Sequence, residues 1–474
     1  MENNYHQKLN QTMLAGDQQL SKSILWEMQR AYFLQNGMRA WQDNVVPHYI
    51  SSNPVMAHSY AQLVLGYLRD CVAAMDEGFS FDPEQPIYII ELGAGSGRLG
   101  YHFLHHFFDL LNQSPLIDLP VKFVMTDFVP EIIEFWQTHE RFMPWVEAGI
   151  LDFALFDVMD LRPFTLINAN ITLNPTDVQN PLMLLANYFF DSIPQDCFAL
   201  EDGQLCTNLL TVYSTQAEPD YTDETMWERL AFAYEAIPTD LNHYPQQDYN
   251  LILEAYEANL PDTVFSFPNV GLDCLRFWQQ YGNGRVLLLS SDRGMRSAAA
   301  LLGQQPPIPN VHGSFSLMVN FHAISEYVAL NDGLVLQAPH YQDNIQQIAY
   351  LLGNTPQAGL ETELAFTNHA LKNNPDDFFA LKQIIEKEYD QLSLPQLLSF
   401  LRHSYWDASI FSDAFAVLQK EVEQCDPVWY PDIIAALESI WEQYLPIHQN
   451  DLVTEQITQL LLIVGYDSEQ FFSL

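Results

Sequence analysis

Residues 87–104 run Ile-Tyr-Ile-Ile-Glu-Leu-Gly-Ala-Gly-Ser-Gly-Arg-Leu-Gly-Tyr-His-Phe-Leu, and they constrain the fold more than any other stretch. Ile87 to Ile90 predict a buried strand, Glu91 ends it, Gly93, Gly95 and Gly97 make a turn, and a helix begins near Arg98. Glycines let the backbone take positive φ and let a ligand approach it closely. The helix start offers unpaired N–H groups. Such a corner belongs to a doubly wound parallel sheet, so the expected class is α/β with flanking helices. The chain downstream agrees. Val121-Lys-Phe-Val-Met-Thr-Asp127, the strand ending near Asp157, Pro181-Leu-Met-Leu-Leu-Ala-Asn187 and Arg285-Val-Leu-Leu-Leu-Ser-Ser-Asp292 are apolar runs separated by helical stretches.

The glycine spacing bears on the ligand. Gly95-Ser-Gly97-Arg-Leu-Gly100 satisfies the G-x-G-x-x-G of dinucleotide enzymes. The same turn also reads Gly93-x-Gly95-x-Gly97 directly after an acid, the pattern of class I S-adenosylmethionine (SAM) methyltransferases. Glu91 would repel a pyrophosphate and attract the cationic methionine end of SAM. Asp127 lies about 30 residues past the turn, whereas the dinucleotide fingerprint places its acid ~20 residues on. SAM is therefore the expected cofactor, ahead of a dinucleotide or a turn that binds nothing. Glu91, Gly93, Gly95, Gly97, Asp127 and Asp157 are its candidate contacts. Asp127 suits the ribose hydroxyls or, with Pro130 following, a helix N-cap; Asp157 suits the adenine amino group or is an ordinary loop acid.

At 474 residues the chain exceeds one usual core. Residues 1–40 read as a polar start followed by an N-terminal helix from Ile24, residues 41–354 as the α/β domain, and residues 355–474 as an all-helical domain, tetratricopeptide-like in its Asn374-Pro375 and Asp426-Pro427 turns. Residues 214–250 form an acidic insertion, read as a helical excursion or a lid, and Phe265 to Tyr281 reads as a helix. The loop Val46 to Pro54 is rich in hydroxyls and amides and reads equally as a cover over the cofactor or as an ordinary Pro-punctuated connection. A net charge of −41 disfavours nucleic acid and anionic membranes and favours either solubility or a basic partner. Five scattered cysteines without a C-x-x-C give neither a disulfide framework nor a zinc pattern. The N-terminus lacks a signal peptide's apolar run and no stretch reaches the ~18 apolar residues of a span, so a cytoplasmic location is expected. His102 and His106 stand at helical i, i+4 spacing without the Glu of an H-E-x-x-H; packed histidines are expected, and no metal.

Four segments in order resemble the MidA-type SAM methyltransferases, relatives of the mitochondrial complex I assembly methyltransferase. They are His48-Tyr-Ile-Ser-Ser-Asn-Pro54, Glu91-Leu-Gly-Ala-Gly-Ser-Gly97, Ala186-Asn-Tyr-Phe-Phe-Asp-Ser-Ile-Pro194, and Val319-Asn-Phe-His-Ala-Ile-Ser-Glu326 continuing through Gly333-Leu to Leu351-Leu-Gly353. The third is similar to the family's Ala-Asn-Glu-Phe-Phe-Asp-Ala-Leu-Pro and is the most specific. The resemblance implies methylation of a protein arginine, with Asn187, Tyr188 and Asp191 facing the acceptor and Asp191 orienting it or taking a proton. Tyr188 stands where the family has Glu, and Asn320 where it has Asp; the family's Ile-Asp-Tyr-Gly segment is here part of Leu289-Ser-Ser-Asp-Arg-Gly294. These departures keep two other readings open, a methyltransferase-fold scaffold and a small-molecule methyltransferase.

Overall fold

The computed structural model describes residues 11–42, 49–220, 223–312, 314–340, 345–353, 359–447 and 452–472. Its centre is a seven-stranded sheet. In chain order the strands are β1 (Ile87–Glu91), β2 (Val121–Asp127), β3 (Leu151–Leu155), β4 (Leu182–Asn187), β5 (Val286–Asp292), β6 (Leu334–Gln337) and β7 (Gln346–Leu352). They lie side by side as β3-β2-β1-β4-β5-β7-β6. The pairs from β3 to β5 are parallel, and β7 runs antiparallel to both β5 and β6. This order, with its one reversed strand, is the sheet of the class I methyltransferase fold, a Rossmann-like α/β arrangement.

The inner strands are near-continuous apolar runs because helices cover both faces of a parallel sheet. Ile89, Leu184, Leu288 and Ile348 are buried at 1 % exposure or less. The pattern conceals β7: Gln346 and Gln347 open it, yet every residue of the strand is buried. Gly353 ends it at φ +79°, where a Cβ would lie 2.3 Å from the Gly284 carbonyl oxygen.

Beside this sheet stands a five-stranded antiparallel one, ordered Thr12–Gln18, Gln204–Ser214, Asp196–Glu201 and Thr263–Phe267, with Leu230–Pro238 also on Gln204–Ser214. It corrects three expectations. Within the polar start of the chain, Thr12–Gln18 is a strand, with Thr12 opposite Ser214, because a distant partner satisfies its backbone; residues 1–10 lie outside the described residues. Among the described residues of 214–250, only Glu224–Arg229, a short 3-10 helix, and the start of the helix Gln247–Asn259 are helical; residues 230–238 are a strand. Thr263-Val-Phe-Ser-Phe267 is a strand too, and Pro268 delays the helix to Asn269–Trp278. Residues 314–320 contain two short strands, Ser314–Ser316 and Val319–Asn320. Of the loop 46–54, residues 46–48 lie outside the described residues, while Tyr49–Ser52 is a helical turn.

The chain forms two compact units. One contains the segment up to 48, residues 67–95 and residues 118–360, hence both sheets. The other contains residues 49–66, 96–117 and 361–474. The second unit is helical, its core built from side chains such as Leu397, Ile410, Phe411, Ile433, Leu437, Ile457 and Leu460. Its helices begin where side chains replace missing backbone partners: Asn374 accepts from the N–H groups of Asp376 and Asp377, and Asp407 from those of Ser409 and Ile410. His102 and His106 lie in this core. The His102 ring is 3.3 Å from Gln443 Oε1, and the His106 ring packs edge-on 5.3 Å from His58. Burial pushes His102 down to about 3 and His58 to about 4, so both rings are neutral at pH 7. Among the described residues no three His, Cys, Asp or Glu are arranged to hold a metal, and no helix is long and apolar enough to cross a membrane.

Asn320 is explained by the fold. It is fully buried and caps the helix Phe321–Leu330: its Oδ1 accepts from the Ala323 N–H at 3.0 Å, and its Nδ2 donates to the Ser266 carbonyl at 2.8 Å. A carboxylate could make only the first bond and would face a carbonyl with the second oxygen. Asn320→Asp should therefore lose about 1–3 kcal/mol of stability at pH 7 and recover part of it in acid, where a protonated Asp can donate to Ser266. Urea denaturation at pH 5 and pH 8 checks both signs.

Candidate functional site

The glycine turn is stitched to the strands on either side of β1. The Leu92 N–H donates to the Leu185 carbonyl on β4 at 2.9 Å, and the Ala94 N–H to the Thr126 carbonyl on β2 at 2.9 Å. Thr126 Oγ1 donates to the Glu91 carbonyl at 2.7 Å. Between these ties Gly93 and Gly95 stand at φ +64° and +53°, and Gly97, at +80°, begins the helix Arg98–Asn112. Three left-handed positions within five residues explain why the turn is glycine-built. Glu91 is buried at the C-terminal end of β1, the edge where doubly wound sheets bind ligands.

Asp127 at the end of β2 closes the turn. Its Oδ2 accepts from the Gly95 N–H at 3.1 Å and its Oδ1 from the Val129 N–H at 3.0 Å. It is not the N-cap of the following helix; that position is Val129, without a side-chain bond. Burial pushes the Asp127 carboxyl up to about 6 against the opposing pull of these N–H groups. Asp157 lies beyond the end of β3, which stops at Leu155. Its carboxylate is held bidentately by Arg30, at 3.0 and 2.6 Å, and also accepts from the Met159 N–H.

The acceptor candidates follow β4. Asn187 is its last residue, opposite Ser291 of β5. Tyr188 takes φ +47°, a strained conformation for a bulky residue, and donates its N–H to the Ser291 carbonyl at 3.0 Å. The Phe189 ring reaches the glycine turn: a Cβ on Gly93 would lie 3.3 Å from its Cδ2. Asp191 sits in the short turn Phe190–Ser192, 2 % exposed, accepting from Ser192 Oγ at 2.8 Å. The structure thus brings Asn187, Tyr188 and Asp191 to the strand edge that carries Glu91 and the glycines, with the Asp191 carboxyl turned inward.

What Asp191 meets inside is Asp292, the last residue of β5 and fully buried. Asp292 Oδ2 accepts from the Phe190 N–H at 3.0 Å, while its Oδ1 has no donor, and the Asp191 carboxyl is its neighbour. Two neighbouring carboxyls in a dry interior resist ionising together. Burial raises both, Asp191 to about 6 and Asp292 well above the ordinary range, the latter also through the neighbouring Asp191 charge. Sequence reasoning passed over Asp292, although the signal was present: an apolar strand ending in an acid, as with Glu91 and Asp127.

No family model and no curated protein matches the sequence. Solved structures do. An uncharacterized protein from Burkholderia thailandensis is similar over 72 % of this chain and 90 % of its own, at 13 % identity and a TM-score of 0.42. A second member of its superfamily from that organism, bound to S-adenosyl-homocysteine, is similar over 66 % and 80 %, at 12 % identity and a TM-score of 0.38. The CMeT domain of the citrinin polyketide synthase is similar over 58 % and 48 %, at 12 % identity and a TM-score of 0.25.

The carboxyl pair makes stability depend on pH. Its folded-state pKa values lie above those of the unfolded chain, so its contribution is complete below about pH 4 and begins to be lost as pH rises through about 6, where Asp191 ionises. Asp292→Asn keeps an acceptor for Phe190 and supplies a permanent donor to Asp191. The variant should match the parent near pH 5 and melt several degrees higher at pH 8, as thermal scans across that range would read.

Proposed function

We propose that the chain is a SAM-dependent methyltransferase of MidA type that modifies a basic protein side chain, arginine by the family resemblance. The observation that carries the cofactor assignment is the corner itself: a buried acid at the end of β1, followed by glycines at positive φ, in a sheet of class I order. The residues fit the group. Glu91 offers a carboxylate to the cationic methionine end, Gly93 and Gly95 offer backbone without side chains, and the acids at the ends of β2 and β3 line the same edge. The B. thailandensis protein with S-adenosyl-homocysteine bound supports the same ligand.

Bound SAM would supply a methyl group made electrophilic by the sulfonium. This chain's part is to orient a nucleophile and accept its proton. Asn187 and Tyr188 present backbone and side-chain polar groups at the strand edge, and Asp191, with a carboxyl poised near neutrality, is the proton acceptor. A basic substrate suits a chain of charge −41. The burial of Asp191 against Asp292 favours a second reading, a scaffold that holds SAM without transferring its methyl.

Calorimetric titration with S-adenosylhomocysteine, followed by radiolabelled SAM with lysate, separates these readings. Micromolar binding is expected, weakened about tenfold or more in Glu91→Gln, which corresponds to the loss of ~1.4 kcal/mol of charge interaction. Asp191→Asn should bind normally and label nothing. Absence of binding by the parent removes the enzyme reading, and binding without any labelled product leaves the scaffold. A labelled protein whose acid hydrolysate lacks methylarginine excludes arginine as its acceptor.

A further inference from the structure

The space that glycine leaves at position 95 is filled by Trp41. A Cβ built on Gly95 would lie 2.9 Å from Trp41 Cζ2, 3.0 Å from Cε2 and 3.2 Å from Nε1, so the indole edge rests directly on the turn. At Gly93 the corresponding ring is Phe189, 3.3 Å from a Cβ built there and a buried residue of the central core.

Trp41 is held from the N-terminal side by an aromatic run. Its ring stacks on Phe33, with centroids 5.5 Å apart; Phe33 meets Phe128 edge-on at 6.4 Å; and the Arg30 guanidinium lies 4.6 Å over Phe128 while pairing with Asp157. The helix Ile24–Asn36 and the short helix Arg39–Gln42 are thereby laid across the ends of β1, β2 and β3. The two ends of the cover differ. Arg30 is fastened by a bidentate ion pair. Trp41, half-buried on a four-residue helix, rests on one stacked ring and the glycine turn.

We propose that Trp41 controls access to the cofactor corner: its indole takes the ground at Gly95 that close approach of a ligand requires, and SAM must displace it to bind. The inference rests on the reading of this corner as a SAM site. The glycine serves two occupants in turn, because only a residue without Cβ lets either the indole or a ligand lie on the backbone. The release is local. Stacked aromatic pairs are weak enough to exchange, so the competition shifts affinity without abolishing it.

The test titrates the full chain with S-adenosylhomocysteine by calorimetry, for the parent, Trp41→Ala and Trp41→Phe, and follows the same titration by tryptophan fluorescence. Trp41→Ala should bind about tenfold tighter and associate faster, with Trp41→Phe between the two. The parent should show a fluorescence change that Trp41→Phe lacks. If Trp41→Ala fails to fold by circular dichroism, the fluorescence difference between the parent and Trp41→Phe decides alone. Equal or weaker binding by folded Trp41→Ala overturns the proposal while leaving the SAM reading intact. An absence of binding in all three proteins overturns that reading, and the access role with it.

Discussion

Three backbone N–H groups, those of Leu92, Ala94 and Gly95, hold the turn after β1, and each is claimed by a different part of the sheet edge: the Leu185 carbonyl, the Thr126 carbonyl and the Asp127 carboxylate. The turn can meet all three demands only by passing through left-handed conformations at Gly93 and Gly95. Glu91 is placed by the same bonds, since its own carbonyl is tied to Thr126. The acid, the glycines and the end of β2 therefore form one object. It is held by two backbone bonds and by the side chains of Thr126 and Asp127.

The edge after β4 is built differently. The bend there includes a strained Tyr188 and the buried carboxyls of Asp191 and Asp292. A carboxyl pair in a dry interior is a costly way to hold a turn when an amide would serve. It joins the geometry of residues 187–191 to the solvent's acidity, as Asp127 does for the glycine turn.

The sequence disclosed those parts of the fold whose logic is local. Ile87 to Gly97 announces strand, turn and helix because the apolar run, the glycines and the helix start are contiguous, and the ends of β2, β4 and β5 are marked by the same change from apolar to polar residues. What stayed hidden depends on partners far away in the chain. Thr12–Gln18 and Leu230–Pro238 are strands because Gln204–Ser214 offers both of its edges. Gln346 and Gln347 are buried because β7 lies between β5 and β6. Asn320, which in a line of text reads as a lost acid, is a helix cap whose amide is needed by Ser266. Asp157 was visible as a strand-end acid, but its engagement by Arg30, more than a hundred residues earlier, was not.

The helical unit is assembled from three separated pieces of chain, residues 49–66, 96–117 and 361–474. On a ribosome the first two pieces emerge long before the third, so their apolar faces must wait for most of the polypeptide to be made. The second of these pieces holds the helix Arg98–Asn112, which follows directly on the glycine turn in the chain. A chain that stops near residue 354 would leave residues 49–66 and 96–117 without the segment, 361–474, with which they form one compact unit.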